Sequence, residues 1–328
     1  MKEVIALANA NVALAKYWGK RDERLNLPYT GSISVALAGL ATTARVSFQP
    51  QLRDDRIVLN GHDAESTEMH RIQTFLDLVR QLAGHQARAE VDVRSEFPVA
   101  AGLASSASTY AALALAASRS AGLSLSPPAL TILARRGSGS AARSVLDGYV
   151  EWLAGEASDG SDCFAVRVAP REHWPLGVVI AITHEGPKSI GSREGMARAL
   201  KESPFFPAWL ESHEADLDAV RQGILRRDLQ LVGHTAEHNC LKMHAVAMAA
   251  RPAILYWTPA TLAVMHRVRA LRNEGTEAYF TIDAGPQVKV LCLRDQRDEV
   301  AATIRAVPGV LRVLLSEPGA GAQVLEAA

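Results

Sequence analysis

A two-domain α+β fold is what this sequence predicts, and three observations predict it. The chain has 328 residues, long for one hydrophobic core and comfortable for two. Strand-type and helix-type segments alternate through the first half, whereas the second half gathers amphipathic helices between strands. Composition also shifts over residues 157–175, where Gly, Asp, Ser and Pro collect beside Trp174. The boundary is placed there, giving domains 1–174 and 175–328.

Residues 42–48 and 56–59 read as strands, and Asn60-Gly61 closes the second with a turn signal. Ile72, Phe75, Leu76, Val79 and Leu82 recur at helical spacing, with Gly84 as a stop. Ala89, Val91 and Val93 alternate as a strand running into Phe97-Pro98. A Gly/Ala/Ser loop then opens an Ala-rich helix over residues 106–121. Ser126 before Pro127 is a cap followed by proline at the first helical position. That helix breaks at Gly137-Ser138-Gly139-Ser140, and a new one is expected to start with Arg143 in its first turn. Beyond the boundary, 176–183 reads as a buried strand and helices fill 194–273. Strands at 278–283 and 288–293 flank an Ala-Gly-Pro turn; a short helix and a last strand at 310–315 follow. Helices over an antiparallel sheet are the expected result.

Lysine plus arginine number 35 and aspartate plus glutamate 35, so net charge recruits neither nucleic acid nor an anionic membrane. A polyanionic ligand needs a local cluster of cations. Apolar residues reach 48% but fall in short runs. None approaches the about 20 residues that a membrane helix requires. Met1 to Leu7 soon meets polar residues and does not read as a signal peptide. Cys163, Cys240 and Cys292 are far apart and odd in number, as in small buried hydrophobes of a reducing cytoplasm.

The segment Pro98-Val99-Ala100-Ala101-Gly102-Leu103-Ala104-Ser105-Ser106-Ala107 joins a strand to a helix. Small residues let backbone approach an anion, and the helix's first N–H groups point into the loop. Ser105, Ser106 and Ser108 add hydroxyls. Neither a Gly-Lys-Ser/Thr ending nor G-x-G-x-x-G is present, so Walker and Rossmann readings fail; a tight corner of small residues is the ordinary alternative.

The loop resembles the central motif of the GHMP kinase superfamily, and residues 100–107 resemble its mevalonate diphosphate decarboxylase branch. Further segments similar to that branch occur in its order. They are Asn11-Val12-Ala13-Leu14-Ala15-Lys16-Tyr17-Trp18-Gly19-Lys20, Gly137-Ser138-Gly139-Ser140-Ala141-Ala142-Arg143-Ser144, Lys242-Met243-His244-Ala245 and Asp283-Ala284-Gly285-Pro286. The resemblance implies a two-domain GHMP kinase fold, with a ferredoxin-like α/β sandwich as the C-terminal domain. It also implies ATP and Mg²⁺ in the cleft between the domains, and a homodimer. Gly102, Leu103, Ala104, Ser105, Ser106 and Ser108 would then take ATP, with Ser106 a candidate magnesium ligand.

For the substrate, the resemblance implies Tyr17, Lys20, Ser138, Ser140, Arg143 and Ser192, with Arg143 and Asn11 on a carboxylate. Read without it, Lys16 and Lys20 make a solvated turn over Trp18, Ser192 a helix cap, and Asp283 an Asx turn. With it, Asp283 becomes the carboxylate facing a tertiary hydroxyl, as base or as a fixed negative charge, and Lys16 holds it ionised.

The implied reaction is ATP-dependent decarboxylation of mevalonate 5-diphosphate to isopentenyl diphosphate. Three alternatives stand beside it: a decarboxylase of the 5-monophosphate, a mevalonate 3-kinase, and a non-catalytic binding member of the fold. Departures from the branch's pattern at Thr30-Gly31, Gly191 and Gln287 bear on the phosphate count. His234-Thr235-Ala236-Glu237-His238 fits the inverted zinc-protease pattern, although a structural helix is the expected role.

Overall fold

β1 (Val4–Ala15) leads through a small ribbon, β2 (Lys20–Asp22) and β3 (Leu27–Pro28), into the 18-residue β4 (Ser32–Gln49). β1 and β4 pair antiparallel, with register shifts between Asn9 and Asn11 and between Ala13 and Ala15. Such irregularities re-aim side chains, and here they fall beside Asn11 and Lys16. The coordinates are a computed structural model describing residues 2–97, 105–186 and 188–325.

β5 (Arg56–Leu59), β6 (His62–Asp63) and α1 (Ser66–Ala83) follow, the helix ending on Gly84 at φ 70°, where a side chain would be strained. β7 (Arg88–Ser95), α2 (Ser105–Ser120) and α3 (Pro127–Gly137) come next, α3 capped by the Ser126 side chain. The helix expected after residue 140 is instead a six-residue 3-10 turn, Gly139–Ser144, with Arg143 in its last turn. The first half closes with β8 (Tyr149–Trp152) and β9 (Ala165–Ala169).

The second half contains β10 (Leu176–Ile182), α4 (Ser192–Glu202), α5 (Phe206–Arg226), α6 (Leu229–Met248) and α7 (Pro259–Asn273). β11 (Ala278–Ile282), β12 (Val288–Leu293), α8 (Arg297–Arg305), β13 (Arg312–Ser316) and β14 (Gln323–Leu325) complete it. One sheet runs β14-β1-β4-β7-β5-β6, with β8 on β4 and β9 on β8; the other runs β11-β12-β10-β13, all antiparallel. β14, unforeseen in the sequence, therefore returns to the first sheet and pairs with β1.

α2 lies close against the first sheet because Ala111, Ala112, Ala114, Ala116 and Ala117 are fully buried beneath it. Gly137 is needed where α3 meets α2, since a Cβ there would sit 2.0 Å from the Tyr110 ring. A further cluster joins Val12, Leu14, Ile33 and Val35 to Val178, Ile180, Val220 and Leu291. Apolar packing thus runs continuously from one lobe to the other.

Within the first lobe, Arg80 of α1 and Asp55 form an ion pair in which the side chains are 2% and 1% exposed. Asp55 also accepts the Ala89 N–H at 2.7 Å, and Arg80 donates to the Ala87 carbonyl at 2.9 Å. Removing one partner of a buried pair strands the other. Arg80→Met is expected to lower unfolding free energy by about 3 kcal/mol, read from the urea midpoint.

Candidate active site

Lys16 stands where β1 ends. Asn239 of α6 accepts its backbone N–H at 2.8 Å, while its Nζ donates to the Ala13 carbonyl at 2.9 Å and to Asp283 Oδ1 at 2.8 Å. Asp283, just past β11, takes the Lys289 ammonium on its other oxygen, Oδ2, at 3.0 Å. Its oxygens are therefore occupied by two ammoniums. Both lysine side chains are 2% exposed, whereas Asp283 keeps 22% open. Burial alone would raise the Asp283 pKa, but Lys16 and Lys289 together hold its carboxyl well below the usual carboxylate range.

Arg143 is buried, and its hydrogen bonds go to neutral atoms: Nη1 to Ser32 Oγ at 2.6 Å and Nη2 to Asn11 Oδ1 at 3.2 Å. Asn11 is oriented in turn by donating to Ser144 Oγ at 2.7 Å and the Ser140 carbonyl at 3.2 Å. Arg143 Nε has no partner, and Arg143 makes no salt bridge among the described residues. Burial pushes the guanidinium down to about 10, partly offset by Asp283, so it remains a cation at neutral pH. Gly139 lets this turn close: a Cβ there would lie 2.9 Å from both the Trp152 and Tyr17 rings. Since Arg143 is not in a first helical turn, the cost of placing it is burial of charge rather than opposition to a helix dipole.

These groups meet in a cavity of about 430 Å³. Asn11, Lys16, Tyr17, Lys20, Ser106, Ser138, Ser140, Arg143, Ser192 and Asp283 all line it. Ser106 and Ser138 hydroxyls lie 3.3 Å apart, Ser138 and Ser140 hydroxyls 3.4 Å. Lys20 donates to Asn26 Oδ1 at 2.7 Å; burial, with Arg193 nearby, pushes it down to about 8. The Tyr17 hydroxyl is buried without a hydrogen-bond partner, and burial pushes its pKa up.

Ser108 departs from expectation. Its hydroxyl is buried, 2.7 Å from Thr42 Oγ1 and bonded to the Ser105 carbonyl, so it braces α2 on β4 and offers no donor to the cavity. Ser105 begins α2 but does not line the cavity, and Gly102, Leu103 and Ala104 lie outside the described residues.

Arg71, Lys188, Arg193 and Lys289 were missed in the sequence, the first three on the cavity wall. Arg193 directly follows Ser192, and Lys289 interrupts an otherwise apolar strand, so both left a signal. Arg71 and Lys188 sit in ordinary polar segments and left none. Burial pushes Lys188 down to about 8, and Lys289 adds to that. Among the departures from the branch's pattern, Gly191 lines the cavity but Thr30, Gly31 and Gln287 do not. Gln287 is fully buried and its Oε1 accepts the Thr183 N–H at 2.6 Å. In the zinc-like motif, Glu237 is spent on Arg272 at 2.7 Å and on the Phe280 N–H at 2.9 Å.

Cations outnumber anions at this cavity, with Lys16, Lys20, Arg71, Arg143, Lys188 and Arg193 facing Asp283 alone. Such a set fits polyphosphate and carboxylate groups.

Residues 8–165 match the family described as diphosphomevalonate decarboxylase-like N-terminal domain, and 178–313 match the mevalonate 5-diphosphate decarboxylase C-terminal domain. The diphosphomevalonate decarboxylase of Bos taurus is 37% identical over 323 residues, covering 92% of this chain and 80% of its own. The phosphomevalonate decarboxylase of Haloferax volcanii is 33% identical over 300 residues, covering 91% of each. A solved structure, MDDEF in complex with MVAPP, AMPPCP and magnesium, is 36% identical with a TM-score of 0.92, covering 99% of both chains.

Proposed function

Because the chain belongs to the diphosphomevalonate decarboxylase family, we propose that it converts mevalonate 5-diphosphate and ATP to isopentenyl diphosphate, ADP, phosphate and CO2. The observation that carries this reading is Asp283, held ionised by two lysines in a cavity whose other charged lining residues, among those described, are cations. A binding module needs only the cations and a kinase could use the acid only as a base; the expulsion of CO2 next to a developing carbocation gives its fixed charge a further use.

Roles follow from placement. Arg143, a buried cation with no salt bridge among the described residues, and Asn11 beside it hold the substrate carboxylate. Tyr17, Lys20, Ser138, Ser140 and Ser192 hold the diphosphate tail. Ser106, in the first turn of α2 and on the cavity wall, receives the nucleotide phosphates together with the loop that precedes the helix. No cluster of three or more His, Cys, Asp or Glu suits a metal among the described residues. Magnesium would neutralise phosphate charge when bound, and Ser106, one of the serine hydroxyls on the cavity wall, would help hold it.

In the first step the C3 oxygen bonds to the γ-phosphorus as the bond to the ADP oxygen breaks. Asp283 sits to accept the hydroxyl proton. Early proton removal is not demanded by a loose transition state, so its fixed charge matters more as the C3–O bond then breaks. The C1–C2 bonding pair becomes the new C2–C3 double bond, releasing CO2 with the phosphate. Arg143 and Asn11, by fixing the carboxylate, set which bond lies ready to cleave.

Purified protein with ATP and mevalonate, its 5-phosphate or its 5-diphosphate tests this. The expected result is equimolar ADP, phosphate and CO2, fastest with the diphosphate. ADP without CO2 would indicate a kinase, and faster turnover of the monophosphate would move the chain to the activity named for the Haloferax relative.

The reading includes a substrate and nucleotide domain over 1–174 and a C-terminal GHMP domain over 175–328, with β14 returning to the first sheet. A cytoplasmic location is supported by three cysteines that are all unpaired and buried, and a homodimer is the family's expected assembly. No helix among the described residues is long and apolar enough to cross a membrane.

A further inference from the structure

Lys289 sits in a strand that is otherwise apolar, since Val288, Val290, Leu291 and Cys292 are all buried around it. A lysine at 2% exposure is costly unless its charge is met. Its Nζ lies 3.0 Å from Asp283 Oδ2, while Lys16 takes Oδ1 at 2.8 Å, so the two ammoniums grip separate oxygens of one carboxylate. The two lysines are not equivalent. Lys16 lines the cavity and Lys289 does not, so through its contact with Asp283 Lys289 can act on a bound molecule that it does not itself face.

We infer that Lys289 is a positioning residue for the reaction: by pairing with Oδ2 it fixes the rotation of the Asp283 carboxylate and keeps it ionised, so that Lys16 can adjust to substrate without releasing the acid. The inference rests on the role given to Asp283 above.

The surroundings bear on the charge. Lys16 faces the acid from β1, Lys188 from the segment before α4, Arg143 from the 3-10 turn, and His244 and Cys240 from α6. Burial pushes His244 down to about 3 and the Cys240 thiol up to about 11, so neither carries charge near neutral pH. Burial of Asp283 favours its protonated form, and the lysines oppose this. Loss of one ammonium therefore lets the pKa rise. Activity requiring the ionised acid is then lost from the low-pH side.

For Lys289→Met, the acid limb of the kcat profile is expected to move up by about one pH unit or more. At neutral pH kcat should fall about tenfold through misorientation, with KM for ATP and substrate changing less than about threefold. Lys289→Gln, a second neutral replacement, should match it, and Lys289→Arg should restore both kcat and the limb. Wild-type kcat and an unmoved limb in either neutral variant would overturn the inference, as would kcat and KM failing together with the limb unmoved. Should neither neutral variant fold, the ¹⁵N ammonium signal of Lys289, compared between wild type and Asp283→Asn, decides. A shift in Asp283→Asn supports the pair, and no change refutes it. Assayed alongside, an active Asp283→Asn enzyme would defeat the role of Asp283 itself, a result separable from failure of Lys289 alone.

Discussion

Asp283→Asn is expected to lower kcat by about a thousandfold or more while KM for substrate and nucleotide changes only a few-fold. The substitution keeps size and shape but removes the charge, and an amide cannot serve both neighbours. Its oxygen can accept from Lys16 or Lys289, each now 2.8–3.0 Å from the old oxygen positions, but its NH₂ turns a donor toward the other ammonium. One buried ammonium thus loses its carboxylate partner, so some stability is lost too, and a melting curve must accompany the assay. Single-turnover product analysis with calorimetric binding of substrate and nucleotide separates the effects. Near-normal turnover in folded Asp283→Asn would remove this residue from the mechanism.

Arg143→Gln should weaken the enzyme differently. Loss of the charge at the carboxylate subsite is expected to lower kcat/KM by about 100-fold, carried mainly by KM for the mevalonate substrate, with KM for ATP little changed. In wild type the guanidinium is 3% exposed and bonded only to the neutral Ser32 and Asn11 among the described residues. An arrangement this costly is explained by an anion arriving at the cavity. Glutamine still satisfies Ser32 or Asn11, which limits damage to the fold. Equal losses in both KM values would show that Arg143 shapes the cavity as a whole instead of one subsite.

Much of this architecture could be read beforehand, for local reasons. β5, α1 with its Gly84 stop, and the Ser126 cap of α3 each follow from a few adjacent residues, and they appear at the expected places. Features set by distant partners could not be read so directly. β14 has three residues and no periodicity; only its pairing with β1 makes it a strand. A helix was expected to start after the break at 137–140, but the Tyr17 and Trp152 rings crowd the turn at Gly139 and residues 139–144 close as 3-10. The site divides the same way. Cavity-lining groups within motifs, such as Lys16, Arg143 and Asp283, were legible from sequence, whereas Lys289 lies in no motif and only its place in an apolar strand sets it apart. In the fold β12 lies between β11 and β10, a central strand buried on both faces. Ser108 misled for a related reason: a serine one turn into α2 points where the helix rotation sends it, toward Thr42 on the sheet.

The junction of β14 with β1 also constrains how the molecule can be made. Ile5 pairs with Leu325 and Leu7 with Gln323, so the strand that carries Asn11 and leads into Lys16 gains one neighbour only after the more than 300 residues between them have left the ribosome. Closing so large a loop is slow relative to local contacts. The nascent first sheet must wait with an open edge, and that interval is when a chaperone would have the most to protect.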